Sequence, residues 1–109
     1  MTALAGDDAV TVVLVALADP TRRLLLDELA ARGEATATVL AARLPVSRQA
    51  IVKHLAVLDR AGLVEGHKQG REMRYTVRPE PLGAAARWMS AVAVRWDARL
   101  AAIKRIAER

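Results

Sequence analysis

Three residues, Pro45-Val46-Ser47, constrain this chain more than any other feature. On one side lies a short apolar-periodic run with Val39, Leu40 and Leu44. On the other lies a longer run with Ile51, Leu55 and Leu58 on a single face at 100° per residue. Pro45 ends the first run, and Ser47 is a good N-cap for the second. Thr36 or Thr38 can cap the first run, and Gly62 closes the second, which predicts a helix over 48–60. Two helices this short, with so little chain between them, must pack directly on each other.

That arrangement is the helix-turn-helix pattern. Its second helix has an outer face of Gln49, Val52, Lys53, Ala56 and Arg60, with Arg48 at the edge of the first turn. The face is small, polar and basic, and it carries no acid before Asp59. Such a surface enters a major groove without bulk or repulsion. Arg48 and Gln49 can make paired hydrogen bonds to guanine and adenine, and Lys53 suits a phosphate. His54 lies on the apolar edge and reads as structural.

After Leu63 the period changes from helical to alternating. Val64–Gln69 and Met73–Val77 predict two strands with a hairpin tip at Gln69-Gly70-Arg71-Glu72. His67, Lys68, Arg71, Arg74 and Arg78 cluster there, and Arg71 and Arg74 are candidate DNA contacts. An arginine at a hairpin tip can enter a narrow minor groove, although charges also protect exposed edges.

Charge supports the same region. The chain has 17 Lys and Arg against 12 Asp and Glu, a net charge of +5. Residues 43–78 hold eight basic and three acidic residues, so the whole excess lies in that third of the chain. A localised basic patch is the footprint of a polyanionic partner. Basic membrane-surface helices carry a bulky apolar face beside their charge, a model that the turns and alternation of this stretch fit poorly.

The flanks predict helices. Asp7 or Asp8 can cap a first helix over 7–18 after a frayed 1–6, with Val10, Val13, Leu14 and Leu17 on one stripe. Asp19 and Pro20 open a second helix that runs to Arg32 and stops at Gly33. Arg22 and Arg23 sit in its first turn, where the helix dipole disfavours cations. They pair with an acid such as Asp27 or reach a phosphate. From Leu82 to the end runs one helix whose stripe is Ala85, Met89, Val92, Trp96, Leu100, Ile103 and Ala107. So much apolar surface on a chain of 109 residues predicts a homodimer. Its interface takes Val10, Val13, Leu14, Met89, Val92, Trp96, Leu100 and Ile103.

Other functions find little support. With no Cys, there is no disulfide, thiolate metal site or cysteine nucleophile. Ser47 and Ser90 are the only serines and neither lies in a nucleophile elbow; no glycine-rich phosphate loop occurs. The apolar run Ala9–Ala18 is too short to cross a bilayer and follows two acids, so a cytoplasmic, membrane-free location is expected.

The order helix, helix, helix-turn-helix, hairpin, helix resembles the ArsR-type winged helix-turn-helix repressors. The matching segments are Ala18-Asp19-Pro20-Thr21-Arg22-Arg23, Ser47 through Leu58 with Lys53-His54-Leu55, Ala61-Gly62-Leu63-Val64, and Gln69-Gly70-Arg71 followed by Tyr75. The resemblance implies one mainly α domain over 1–109. Within it lie a helix-turn-helix at 36–60, a two-stranded β-hairpin wing at 63–78 and dimerising helices at 7–18 and 82–109. It implies a homodimer on a palindromic operator, read by Ser47, Arg48, Gln49, Val52 and Lys53, with Arg71 in the wing, and sometimes released by an effector. The metal-sensing members carry Cys-Val-Cys-Asp where this chain has Thr36-Ala37-Thr38-Val39, and its terminal helix has Asp97 and Glu108 but no His. No metal and no cofactor are therefore expected. The Trp96–Leu100 segment resembles a metal-free branch. The alternative is a winged-helix protein-interaction module without DNA binding.

Overall fold

The computed structural model describes residues 5–108, with side-chain surroundings from Ala9 onward. Five helices and three strands follow in the order α1 (Ala5–Leu17), α2 (Pro20–Arg32), β1 (Ala35–Thr36), α3 (Ala37–Arg43), α4 (Arg48–Arg60), β2 (Val64–Gln69), β3 (Glu72–Val77) and α5 (Glu80–Ala107). Helix α1 includes Ala5 and Gly6, which were expected to fray. Residues 1–4 and the Asp7 and Asp8 side chains expected to cap it lie outside the description.

Local chemistry explains most boundaries. Asp19 caps α2 by accepting from the Thr21 and Arg22 amides, and Gly33 ends it at φ 87° with its N–H bonded to the Leu29 carbonyl. Thr36 caps α3 through the Val39 amide, and Ser47 caps α4 through the Ala50 amide at 3.1 Å. Helix α5 begins two residues earlier than expected, because Pro81 sits inside its first turn, where a proline costs no hydrogen bond.

Leu25, Leu29, Leu40, Ile51, Leu55, Leu58, Leu63 and Val64 are fully buried in one core. Residues of α1, α2, α3, α4 and β2 all contribute to it, with Ala85 of α5. Burying each large aliphatic side chain contributes about 1.5–3 kcal/mol.

The sheet is one strand wider than the predicted hairpin. β1 pairs antiparallel with β3, Ala35 opposite Tyr75 and Thr36 opposite Arg74, in the order β1-β3-β2. Two residues are too few to show a period, so β1 left no signal in the sequence. Gln69 pairs with Glu72 across a two-residue Gly70-Arg71 loop. Gly70 has φ 65° and Arg71 does not have positive φ, the pattern of a II′ turn.

Arg22 pairs with a nearby acid, Asp19 at 3.7 Å rather than Asp27, and both arginines also make bonds that the sequence did not suggest. The Arg22 Nε donates to the Ala16 carbonyl at 2.6 Å and its Nη2 to the Val15 carbonyl at 3.1 Å, while Arg23 donates to the Leu17 carbonyl. These are carbonyls of the last turn of α1, which have no partners within their own helix. Both arginines thus turn away from the positive end of α2 toward the negative end of α1. Arg22 also approaches Nδ1 of His54 at 3.5 Å, which ties α4 to the same point.

The radius of gyration is 18.4 Å, against about 13 Å for a compact chain of this length. The excess comes from α5. It packs on α1 near its start, then runs about 42 Å in all, with Ala85 its only fully buried residue among those described.

Candidate nucleic-acid interface

Helix α4 is held from beneath by Ile51, Leu55 and Leu58, all at zero exposure. That anchorage turns Gln49, Val52, Lys53 and Ala56 to solvent. Ser47 is exposed and its hydroxyl is spent on the cap, so it organises the first turn. Arg48, the first residue of α4, donates from Nε to the Thr38 hydroxyl of α3 at 3.2 Å.

Arg48, Val52 and Arg71 come together although they are far apart in sequence. They line one open groove of about 510 Å³ between α4 and the wing, with Thr36, Ala37, Thr38, Glu72, Met73 and Tyr75 completing its walls. The groove therefore carries a guanidinium from each side over a partly apolar floor.

Two predicted contacts fall outside this arrangement. Arg74 is engaged by two carboxylates, Glu34 at 3.3 Å and Glu72 at 3.4 Å, and its Nε is buried without a partner. Its charge is neutralised within the sheet, because β1 brings Glu34 beside β3. Arg60 shares the outer azimuth of α4 but stands about 18 Å along the axis from Arg48. It lines a different groove, of about 500 Å³, with Val10 and Val12 of α1 and Glu80 and Pro81 of α5. Arg78 is likewise paired, with Glu65 at 3.2 Å. The cations of this region with no ion pair among the described residues are Arg48, Lys53, Arg60, Lys68 and Arg71. All but Arg60 belong to the first half of α4 or to the outer wing. Sequence reasoning missed Thr38 as a partner of Arg48. The signal it had was only that Thr38 stands near the start of a helix that must pack on α4.

No group of three or more His, Asp or Glu side chains among the described residues is placed to hold a metal ion.

The comparisons with known proteins converge on this geometry. Residues 17–67 match a family described as a helix-turn-helix domain. The chain is 34% identical over 77 residues to the transcriptional repressor SdpR of Bacillus subtilis, covering 71% of this chain and 84% of that one. An ArsR-like transcriptional regulator from Rhodococcus sp. RHA1 superposes with a TM-score of 0.80 at 49% identity, over 92% of this chain and 93% of that one.

The chain belongs to the ArsR family.

It is thus a DNA-binding transcriptional regulator with a winged helix-turn-helix fold. A further relative is the fragment 1–100 of Mb0332 from Mycobacterium bovis, a homodimeric winged helix-turn-helix DNA-binding domain. It is 31% identical, with a TM-score of 0.63 over 83% of this chain and 80% of that one.

The residues expected at a dimer interface of this ArsR-family protein divide into two sets. Val13 is 2% exposed and belongs to the chain's own core, so it has no surface left for a second copy. Val10 and Leu14 are half-buried; the exposed valines of α1 are Val12 and Val15. On α5 the pattern is the reverse. Trp96, Leu100 and Ile103 are each more than 60% exposed, Met89 is exposed and Val92 half-buried. They form a continuous apolar row.

Proposed function

We propose that this ArsR-family chain acts as a homodimeric repressor that lays the first half of α4 into a major groove and the wing tip beside it. The observation that carries this reading is the segregation of charge. Arg48, Lys53, Lys68 and Arg71 have no ion pair among the described residues, while Arg74 and Arg78 are paired with carboxylates. In this reading Arg48 and Gln49 contact base edges, Val52 a thymine methyl, and Lys53 and Arg71 the phosphates. Ser47 positions them. Affinity comes mainly from phosphate neutralisation and falls steeply with salt.

The homodimer is supported by the apolar row on α5 and by the homodimeric Mb0332 fragment. Two copies of an exposed helix of this length cover each other's row at once. Repression is supported by the likeness to SdpR. The protein does no catalysis in this reading: the Ser47 hydroxyl is used as a cap and Ser90 stands exposed on α5. Its place is the cytoplasm, with the DNA; no helix among the described residues is long and apolar enough to cross a membrane.

Selection of bound duplexes from a random pool tests the reading. The expected product is an inverted repeat with half-site centres about 34 Å apart, one turn of the duplex. Lys53→Ala should lower the slope of log affinity against log salt by about one per protomer. Failure to bind any duplex at low salt and micromolar protein would instead favour a protein-interaction module.

A further inference from the structure

Arg48 begins α4, and Thr38 lies in the first turn of α3, ten residues earlier. Their contact is a single hydrogen bond, Arg48 Nε to Thr38 Oγ1 at 3.2 Å. A guanidinium has one N–H at Nε and four at the two Nη atoms. The bond to Thr38 uses the Nε donor, and the Nη atoms make no protein hydrogen bond among the described residues. What remains free is the end-on fork of two parallel N–H groups, which matches the O6 and N7 acceptors of guanine. Without the Thr38 hydroxyl, the same arginine could turn its Nε–Nη2 edge outward, a geometry that grips a phosphate as readily as a base.

The surroundings reinforce this. Val52, one turn beyond Arg48, lines the same groove as Thr38 and limits the sweep of the arginine chain. Glu72 is the one carboxylate among the residues that line the groove with Arg48. It is already held by Arg74 at 3.4 Å, and Arg74 is held in turn by Glu34. Arg74 thereby competes with Arg48 for this carboxylate.

We infer that Thr38 is a positioning residue for base recognition: its hydroxyl fixes Arg48 by Nε and aims the Nη edge at a guanine. This rests on the proposal above that Arg48 reads a base.

The test starts from the duplex selected by the wild-type chain. Affinities for that duplex, its single-base-pair variants and a scrambled duplex are measured by fluorescence anisotropy over a range of salt. The proteins are wild type, Thr38→Val, Thr38→Ser and Arg48→Ala. Thr38→Val keeps the branched shape and replaces the hydroxyl by a methyl, which removes the acceptor. It is expected to reduce the preference for guanine at one half-site position about three- to ten-fold. The salt slope and the affinity for scrambled DNA should not change. Thr38→Ser restores the oxygen and should restore the preference. Arg48→Ala should erase the preference at the same position, a loss of about ten-fold or more.

Two results overturn the inference, and they are distinguishable. If Arg48→Ala erases the preference while Thr38→Val keeps it, Arg48 reads the base without Thr38. If Arg48→Ala weakens every duplex equally and lowers the salt slope, Arg48 is a phosphate contact, and the base-reading assignment falls together with the role of Thr38. Circular dichroism of Thr38→Val, and its undiminished affinity for scrambled DNA, separate a loss of aim from a loss of fold.

Discussion

Replacing Arg22 by Ala should be among the most damaging single changes on the polar surface of this protein. The side chain is only 15% exposed and serves the last turn of α1 from the first turn of α2. Its Nε–H is the side-chain donor on the Ala16 carbonyl at 2.6 Å. The Val15 carbonyl, by contrast, also accepts from the Ala18 amide at 3.2 Å and keeps that bond in the variant. A hydrogen bond from a charged donor contributes about 1.5–3 kcal/mol, and an acceptor left in a part-buried site adds its desolvation. Counting one such bond in full and the exposed bond to Val15 at a fraction, Arg22→Ala should cost about 2–4 kcal/mol. Against a total stability of about 5–15 kcal/mol this is a large share. Arg22→Lys should recover less than half of it, because an ammonium cannot reach both carbonyls as a planar fork does. The neighbouring Arg23→Ala, whose bond to the Leu17 carbonyl is exposed, should cost less than about 1 kcal/mol. The assay is urea unfolding followed by circular dichroism at several protein concentrations, since a dimer's stability depends on concentration. Equal midpoints for Arg22→Ala and Arg23→Ala would refute the cap, and so would a full rescue by lysine.

Further outcomes can be checked by the same methods. Ser47→Ala removes the α4 cap and should lower stability by about 0.5–2 kcal/mol in urea titrations. Arg71→Ala should flatten the salt dependence of DNA binding, whereas Arg74→Ala should leave that slope unchanged and lower stability; equal slopes in the two variants would contradict the charge segregation. Leu100→Arg should convert the proposed homodimer to monomer in sedimentation velocity, and a retained dimer would move the interface off α5. Burial works to raise the Asp19 pKa, but the Thr21 and Arg22 amides outweigh it, joined by the Arg22 guanidinium and His54, and hold it below 3.8. Its stabilising effect is therefore complete above the unfolded-state value and is lost as pH falls through the lower folded value. Asp19→Asn should flatten the acid limb of stability below about pH 4, which urea midpoints measured from pH 6 to pH 2 would reveal.

What could be read from the chain alone was whatever neighbours in sequence enforce. Asp19-Pro20, Gly33, Thr36, Ser47 and Gly62 act within four residues of themselves. The ends of α2, α3 and α4 were legible for that reason, and the period of α4 showed which of its faces turns inward. The apolar row of α5 was legible too, since a helix alone decides which residues share a stripe.

Tertiary structure decided which charges are free. Arg71 and Arg74 are the same residue type three positions apart, and nothing local separates them. The difference arises because β1 folds onto β3 and carries Glu34 to Arg74, forty residues away in sequence. The bonds of Arg22 to α1 could not be read either, since they go to carbonyls of another helix, and every residue presents a carbonyl. Val13 and Leu100 both sit on apolar stripes, yet one is sealed in the core and the other bare. A stripe tells that a residue wants cover; only the packing of α1 across α4 and α5, and the length by which α5 outruns them, tells which residue has found it. Local hydrogen bonds and periodicity are short-range and legible, whereas an ion pair or a buried face needs two distant segments to meet.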